Sequence, residues 1–266
     1  PRAATRAILM TIDAAALIPA VRDLAYAAGD AILEIYRTDF DSTRKDDGSP
    51  LTRADTASEA IIVPGLRALA PEIPVISEEE FSNGESPTGI GDRFWLVDPL
   101  DGTREFLKRN DEFTVNIGLI DGGVPRVGIL YAPALDLMYA GATSDGATLI
   151  EARGTERNIA CRPVPDDGMD VLVSRSHARN DRLEGYLADV QVRDRMPQGS
   201  ALKFGRLAAG EADIYPRFGP TCEWDTCAGH AIVLAAGGSI ETFDGAPLTY
   251  RKPDYLNPGF VAFGRR

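Results

Sequence analysis

The sequence predicts an α+β fold that passes into α/β, and three observations carry that expectation. Apolar residues step by three or four from Asp13 to Tyr36; short β-prone runs punctuated by Gly, Pro and Asp fill residues 74–140; strand and helix patterns alternate after Pro165. The expected division is an N-terminal α+β part, residues 11–165, built on an antiparallel sheet, and a C-terminal α/β part, residues 166–266.

The first helix places Leu17, Val21, Leu24, Ala28, Ile32 and Ile35 on one face, with Asp13 as its N-cap. Residues 44–52 are charged and broken by Gly48 and Pro50, which predicts a loop. A second helix is expected from about Asp55 through Ile61, Ile62, Leu66 and Leu69, with Pro64 kinking or shortening it. Strands follow at 74–77, 93–97, 113–120, 124–131 and 137–140, and Asp121-Gly122-Gly123 marks a hairpin. The later half reads as strand 171–174, helices near 181–187 and 200–209, strand 212–215, helix 225–236 and strand 239–242. Gly237-Gly238 supplies the stop for the last helix.

Composition narrows the function classes. The 266 residues carry 40 Asp and Glu against 28 Lys and Arg, a net charge of −12 with a pI near 4.7. Such a field argues against nucleic-acid polymers and anionic membranes. A hydrophobic content of 44% is enough for a core that holds a cleft. Three cysteines, Cys161, Cys222 and Cys227, do not make a disulfide framework, so a reducing cytoplasm is expected, with peripheral attachment to the inner membrane as a second option. No apolar run reaches the roughly 18 residues of a membrane span. The stretch before Met10, a candidate start, is set apart from the fold.

Chemistry concentrates in acidic clusters at strand ends and helix starts. In Asp98-Pro99-Leu100-Asp101-Gly102-Thr103 an apolar strand ends in a tight turn that lets two carboxylates and an intervening carbonyl converge, the oxygen set that hard divalent cations take. Alone, this string reads as a turn, Ser77-Glu78-Glu79-Glu80 as solvated loop, and Asp55 and Asp225 as helix caps. Four such sites in one chain make a multi-metal centre the better expectation.

These strings, in this order, together with Lys45 to Asp55 and Trp224 to Gly229, resemble the magnesium-dependent, lithium-sensitive inositol monophosphatase superfamily over nearly the whole chain. Residues 103–117, Val173-Ser-Arg-Ser-His177, Gly199-Ser-Ala-Leu-Lys203 and Leu256-Asn-Pro-Gly-Phe260 are similar to its CysQ-type 3'(2'),5'-bisphosphate nucleotidase branch. The resemblance implies a layered αβαβα sandwich and hydrolysis of the 3'-phosphate of 3'-phosphoadenosine 5'-phosphate (PAP) to AMP by in-line attack of water. It implies two or three Mg²⁺ on Glu78, Asp98, the Leu100 carbonyl, Asp101 and Asp225, with Glu79 in an outer shell. Asp55 and Thr103 match the pair that orients the water, and Gly102 and Thr103 offer N–H groups to phosphate.

For the rest of the substrate the resemblance points to Ser174, His177, Gly199, Ser200, Lys203 and Arg217, alongside Asp225. Arg217 stands where inositol-cleaving relatives carry a glutamate, and an arginine there suits a second phosphate. The partner implied is a small bisphosphate nucleotide, and dimers occur among the relatives. An inositol or sugar monophosphatase is the nearest alternative; a silent metal- or nucleotide-binding protein is the alternative of another class, against which the water-orienting pair speaks. Cys227 is expected to pack rather than react, Cys222 is given no role, and His230 is given no catalytic role.

Overall fold

A computed structural model describes residues 13–38, 50–85, 87, 89–175 and 181–266, with only the backbone described at Pro50 and Leu51. Helix α1 (Ile18–Tyr36) continues a 3₁₀ turn, Ala14–Leu17, at whose start Ala15 N donates to Asp13 Oδ1 at 3.1 Å. Helix α2 (Pro50–Leu69) begins earlier than expected and stays helical through Pro64. Pro50 heads the helix, where its missing N–H costs nothing. Pro64 and Ala60, the residue whose carbonyl loses its partner, are both exposed, so that carbonyl is on the solvent side while Ile62, Val63 and Leu66 hold the buried face. The loop expected at 44–52 is thus corrected to helix from residue 50; residues 39–49 lie outside the described part.

Seven strands, β1 (Val75–Ser77), β2 (Arg93–Asp101), β3 (Thr114–Asp121), β4 (Val124–Ala132), β5 (Leu137–Ala142), β6 (Gly146–Glu151) and β7 (Thr155–Ile159), form one sheet in chain order. Strand β1 runs parallel to β2 and the others are antiparallel. Two short helices, α3 (Glu78–Ser82) and α4 (Thr103–Leu107), follow β1 and β2. The hairpin at Asp121-Gly122-Gly123 forms as expected. Strands β6 and β7 were not foreseen, and β7 shows why: it is an edge strand with four successive exposed residues and no apolar alternation.

A second sheet has the order β12 (Ser239–Thr242), β14 (Phe260–Phe263), β10 (Ile214–Arg217), β8 (Met169–Ser174), β9 (Val192–Gln198). Helices α5 (Asp181–Leu187), α6 (Leu202–Ala208) and α7 (Glu223–Ala235) accompany it, with a small ladder of β11 (Thr221–Cys222) and β13 (Leu256–Asn257). Helices α1 and α2 cover one face of the first sheet, where Val21, Ile32, Ile62 and Leu66 meet Val115, Ile117 and Leu119. Helices α6 and α7 fill the space between the sheets, where Phe204, Leu207, Ile232 and Val233 join Leu130 and Leu149 to Tyr215 and Phe260. Leu183 and Leu187 of α5 close the outer face over Val171, Val173 and Ile214. The result is the five-layer αβαβα sandwich. No helix among the described residues is long and apolar enough to cross a membrane.

Candidate active site

The site begins with an irregularity in β2. Side chains three apart on a regular strand face opposite ways. Here Asp98 pairs with Asn116 and Asp101 with Thr114, so three steps on β2 match two on β3, and the extra residue turns both aspartates to one side. Local bonds fix the bulge: Leu100 N donates to Asp98 Oδ1 at 3.0 Å, and Ser58 Oγ of α2 donates to the Pro99 carbonyl at 2.8 Å. Gly102, at φ 96°, then turns the chain into α4, where Thr103 stands exposed on the first turn.

Two other elements bring their carboxylates to this point. Glu78 opens α3 at the end of β1, which is paired with β2. Asp225 lies in the first turn of α7, where Cys222 N donates to its Oδ2 at 2.8 Å and folds the side chain back over the helix start. That start is anchored by Asn257, whose Nδ2 donates to the Cys222 carbonyl at 2.7 Å, and by buried Glu223, which accepts from Arg251 N and Lys252 N at 2.9 Å. Glu78, Asp98 and Asp225 thereby place one carboxylate oxygen each within 4.8 Å of one another.

Several buried carboxylates elsewhere carry a cationic partner: Asp213 has Arg162 at 2.9 Å, Glu112 has Arg175 at 2.5 Å and Glu223 has Lys252 at 2.6 Å, whereas buried Glu105 has no ion pair among the described residues. Among the described residues, no ion pair serves Glu78, Asp98 or Asp225. Burial, followed by the charge of Asp101, pushes Glu78 up to about 7 and Asp225 up to about 8. Burial and the neighbouring Glu78 hold Asp98 well above the usual carboxylate range. Oxygen-only donors, close together and unneutralised, are the donor set of a hard divalent cation.

The other expected residues fall around this trio. Asp101 is not among its converging oxygens; its Oδ2 accepts from Ala201 N at 2.6 Å and Asn116 Nδ2 at 3.5 Å, while its charge reaches Glu78 and Asp225. Asp55 sits in the second turn of α2 rather than at a helix start; burial and then Glu79, Glu78 and Glu59 push it up to about 8. Glu79 stands outside the trio, and Glu59, which the sequence did not single out, adds to the charge around it. No hydrogen bond joins Thr103 to Asp55 among the described residues. His177 lies outside the described residues.

A cleft of about 300 Å³ opens beside the trio, lined by Asp101, Gly102, Thr103, Asp225 and, further along, Ser174, Ser200, Lys203 and Arg217. Gly199 is buried and is not part of that lining. Lys203 departs from the surface cation its charge implies: it is 4% exposed, and its Nζ donates to the carbonyls of Gln198 at 3.1 Å and Ser200 at 2.5 Å. Burial brings its pKa down to about 8. Arg217, half-buried at the end of β10, donates through Nη2 to the Pro220 carbonyl at 3.3 Å. His230 is buried, with Nδ1 3.0 Å from Tyr250 Oη and outside the cleft lining, and Cys227 is fully buried, as expected of a packing residue. Tyr215, Phe204 and Thr221 also line the cleft, as ordinary core or strand residues that carry no motif.

A five-layer sandwich with an uncompensated carboxylate trio at the mouth of a cleft is the architecture of a metal-dependent phosphatase. A sequence profile of the inositol monophosphatase family matches residues 13–262, and the chain belongs to that family. It is similar to the 3'(2'),5'-bisphosphate nucleotidase CysQ of Shigella flexneri, 46% identical over 92% of this chain and 98% of that one. The enzyme of the same name from Escherichia coli K12 is 45% identical over the same shares. Among solved structures, CysQ from Bacteroides thetaiotaomicron, described as a bacterial member of the inositol monophosphatase family, is 37% identical with a TM-score of 0.81, covering 94% of this chain and 98% of that chain.

Proposed function

We propose that this chain is a Mg²⁺-dependent 3'(2'),5'-bisphosphate nucleotidase that hydrolyses PAP to AMP and phosphate, a step of PAP recycling in sulfur assimilation. The observation that carries the reading is the convergence of Glu78, Asp98 and Asp225, with no ion-paired cation among the described residues, beside a cleft that also carries Lys203 and Arg217. The names of the curated relatives support the same substrate.

Glu78, Asp98, the Leu100 carbonyl, Asp101 and Asp225 are proposed to hold two or three Mg²⁺, with Glu79 and Glu59 reinforcing the field from outside. Bound there, Mg²⁺ supplies the positive charge that eases deprotonation of water near neutral pH and stabilises a leaving oxygen. The chain's own part is orientation: Thr103 Oγ1 accepts from the attacking water and donates its proton toward the Asp55 carboxylate. Gly102 and Thr103 present N–H groups to the phosphate. Ser174, Ser200 and Arg217 line the side that takes the remainder of the nucleotide, with Lys203 holding the loop from behind and adding its charge.

Phosphate release tests this directly. PAP is expected to be hydrolysed with Mg²⁺, not with EDTA, more slowly with added Li⁺, and in preference to inositol 1-phosphate under the same conditions. Preference for inositol 1-phosphate would move the chain to the monophosphatases of the fold, and silence on both would leave a binding protein.

A further inference from the structure

Three of the sequence strings that set this chain apart, Glu112 to Ile117, Val173 to His177 and Gly199 to Lys203, contain residues that meet at one buried carboxylate. Glu112, 9% exposed just ahead of β3, accepts from Arg175 Nε and Nη2, both at 2.5 Å, and from Gly199 N at 2.7 Å. It is not part of the cleft lining, and nothing in the proposed reaction uses it.

What it holds is a loop whose successive peptide groups are gripped by buried charge. The Gln198 and Ser200 carbonyls go to Lys203 Nζ, Gly199 N goes to Glu112, and Ala201 N goes to Asp101. Between these grips Ser200 is forced to φ 45°, a left-handed conformation that costs a serine free energy and persists only where its surroundings impose it. Gly199 is packed directly against these side chains, since a Cβ there would lie 2.5 Å from Glu105 Cγ and 3.0 Å from Glu112 Oε2. The Ser200 N–H has no protein acceptor among the described residues, and Ser200 lines the cleft with Lys203 and Arg217. The next two N–H groups are taken, Ala201 N by Asp101 Oδ2 at 2.6 Å and Leu202 N by Ser200 Oγ at 3.3 Å, so the Ser200 N–H, in one lining with Arg217, is what the loop offers an anion.

We infer that Glu112, clamped by Arg175, is a positioning residue that sets the 198–201 loop in the shape that recognises the non-reacting phosphate of a bisphosphate nucleotide. This rests on the nucleotidase reading above. A carboxylate is required because all three donors converge on two acceptor oxygens; a glutamine would turn an N–H₂ toward at least one of them. Arginine is required because its fork makes both contacts at once.

The test is calorimetric binding with Ca²⁺ in place of Mg²⁺ to prevent turnover. PAP is compared with adenosine 3'-phosphate, which keeps the reacting phosphate and lacks the other. E112Q and R175Q are each expected to raise the Kd for PAP tenfold or more and to change that for adenosine 3'-phosphate less than twofold. The double variant should be no worse than the stronger single one, because either change opens the same clamp. Arg175 is half-exposed and R175Q leaves the Gly199 N–H its acceptor, so it disturbs the loop less than E112Q, and thermal melts of both variants show that the folded chain is what binds. Equal weakening of both ligands, unchanged PAP binding in R175Q, or losses that multiply in the double variant overturns the clamp. A wild-type chain that binds PAP no better than adenosine 3'-phosphate overturns the substrate reading itself, and this inference with it.

Discussion

The carbonyl oxygen of Ala228 stands 2.1 Å from the point a Cβ on Gly128 would occupy, so α7 rests on β4 backbone against backbone. At Gly118 on β3 a Cβ would meet Cys227 Sγ at 2.1 Å. This close seating fixes the height of the α7 start over the sheet, and with it the distance from Asp225 to Asp98. Gly128→Ala must lift the helix, because backbone cannot yield as a side-chain end can. The expected cost is about 1–3 kcal/mol in urea unfolding, together with a several-fold weaker apparent Mg²⁺ affinity in turnover assays. Gly91→Ala, at a glycine with nothing within 4 Å, is the control and should match the parent.

Asp98→Asn separates the metal role of the trio from its folding role. Asn keeps an oxygen to accept from Leu100 N, so the bulge survives, while the carboxylate that a cation would bind disappears. Metal-free, the variant should melt no lower than the parent, and with Mg²⁺ it should lose the rise in Tm that the parent shows. PAP turnover should fall at least a hundredfold. A variant that unfolds in EDTA, or that retains the Mg²⁺ shift, would contradict the assignment.

Much of this site is legible in the sequence because its parts are local. Asp98-Pro-Leu-Asp ends an apolar run, and the turn residues announce themselves. The bulge that aims both aspartates the same way is not visible, since it exists only against the register of β3. The early start of α2 was hidden by Pro50, which breaks a helix interior but suits a first turn. Strand β9, Val-Arg-Asp-Arg-Met-Pro-Gln, escaped because an edge strand facing water has no apolar alternation to read. Lys203 was readable as a charge but not as a buried one, because sequence does not say where the carbonyls of Gln198 and Ser200 point. The bonds of Glu112 could not be read at all, its partners lying 63 and 87 residues away.

Arg217 should govern selectivity rather than chemistry. It lines the cleft from β10, where its charge reaches Asp225 but forms no ion pair with it, and it spends one nitrogen on the Pro220 carbonyl at 3.3 Å. Arg217→Glu places a like charge opposite a second phosphate. The kcat/KM for PAP is expected to drop by roughly a hundredfold, about 3 kcal/mol of transition-state binding, with much less loss on a simple monophosphate. Equal losses on both substrates would remove Arg217 from the nucleotide pocket.

His230 sets the acid side of the stability profile. Burial, with the charge of Lys252 adding to it, pushes the imidazole down to about 3, and the facing group is the Tyr250 hydroxyl at 3.0 Å. A neutral buried histidine leaves the unfolded chain as the better proton binder below its unfolded pKa of about 6.5. Its contribution is therefore complete above that pH and is lost as pH falls toward 3, at up to about 1.4 kcal/mol per pH unit. The metal-free carboxylate trio slopes the other way, because its raised pKa values make the native state the better proton binder between about 4 and 8. Comparing parent with His230→Gln at each pH cancels that opposing slope; Gln keeps a polar group for Tyr250 and cannot titrate. Urea midpoints of the two proteins, measured in EDTA, should converge as pH drops from 7 to 5, the parent losing about 1–2 kcal/mol more than the variant. Parallel profiles would show that His230 is protonated in the native state.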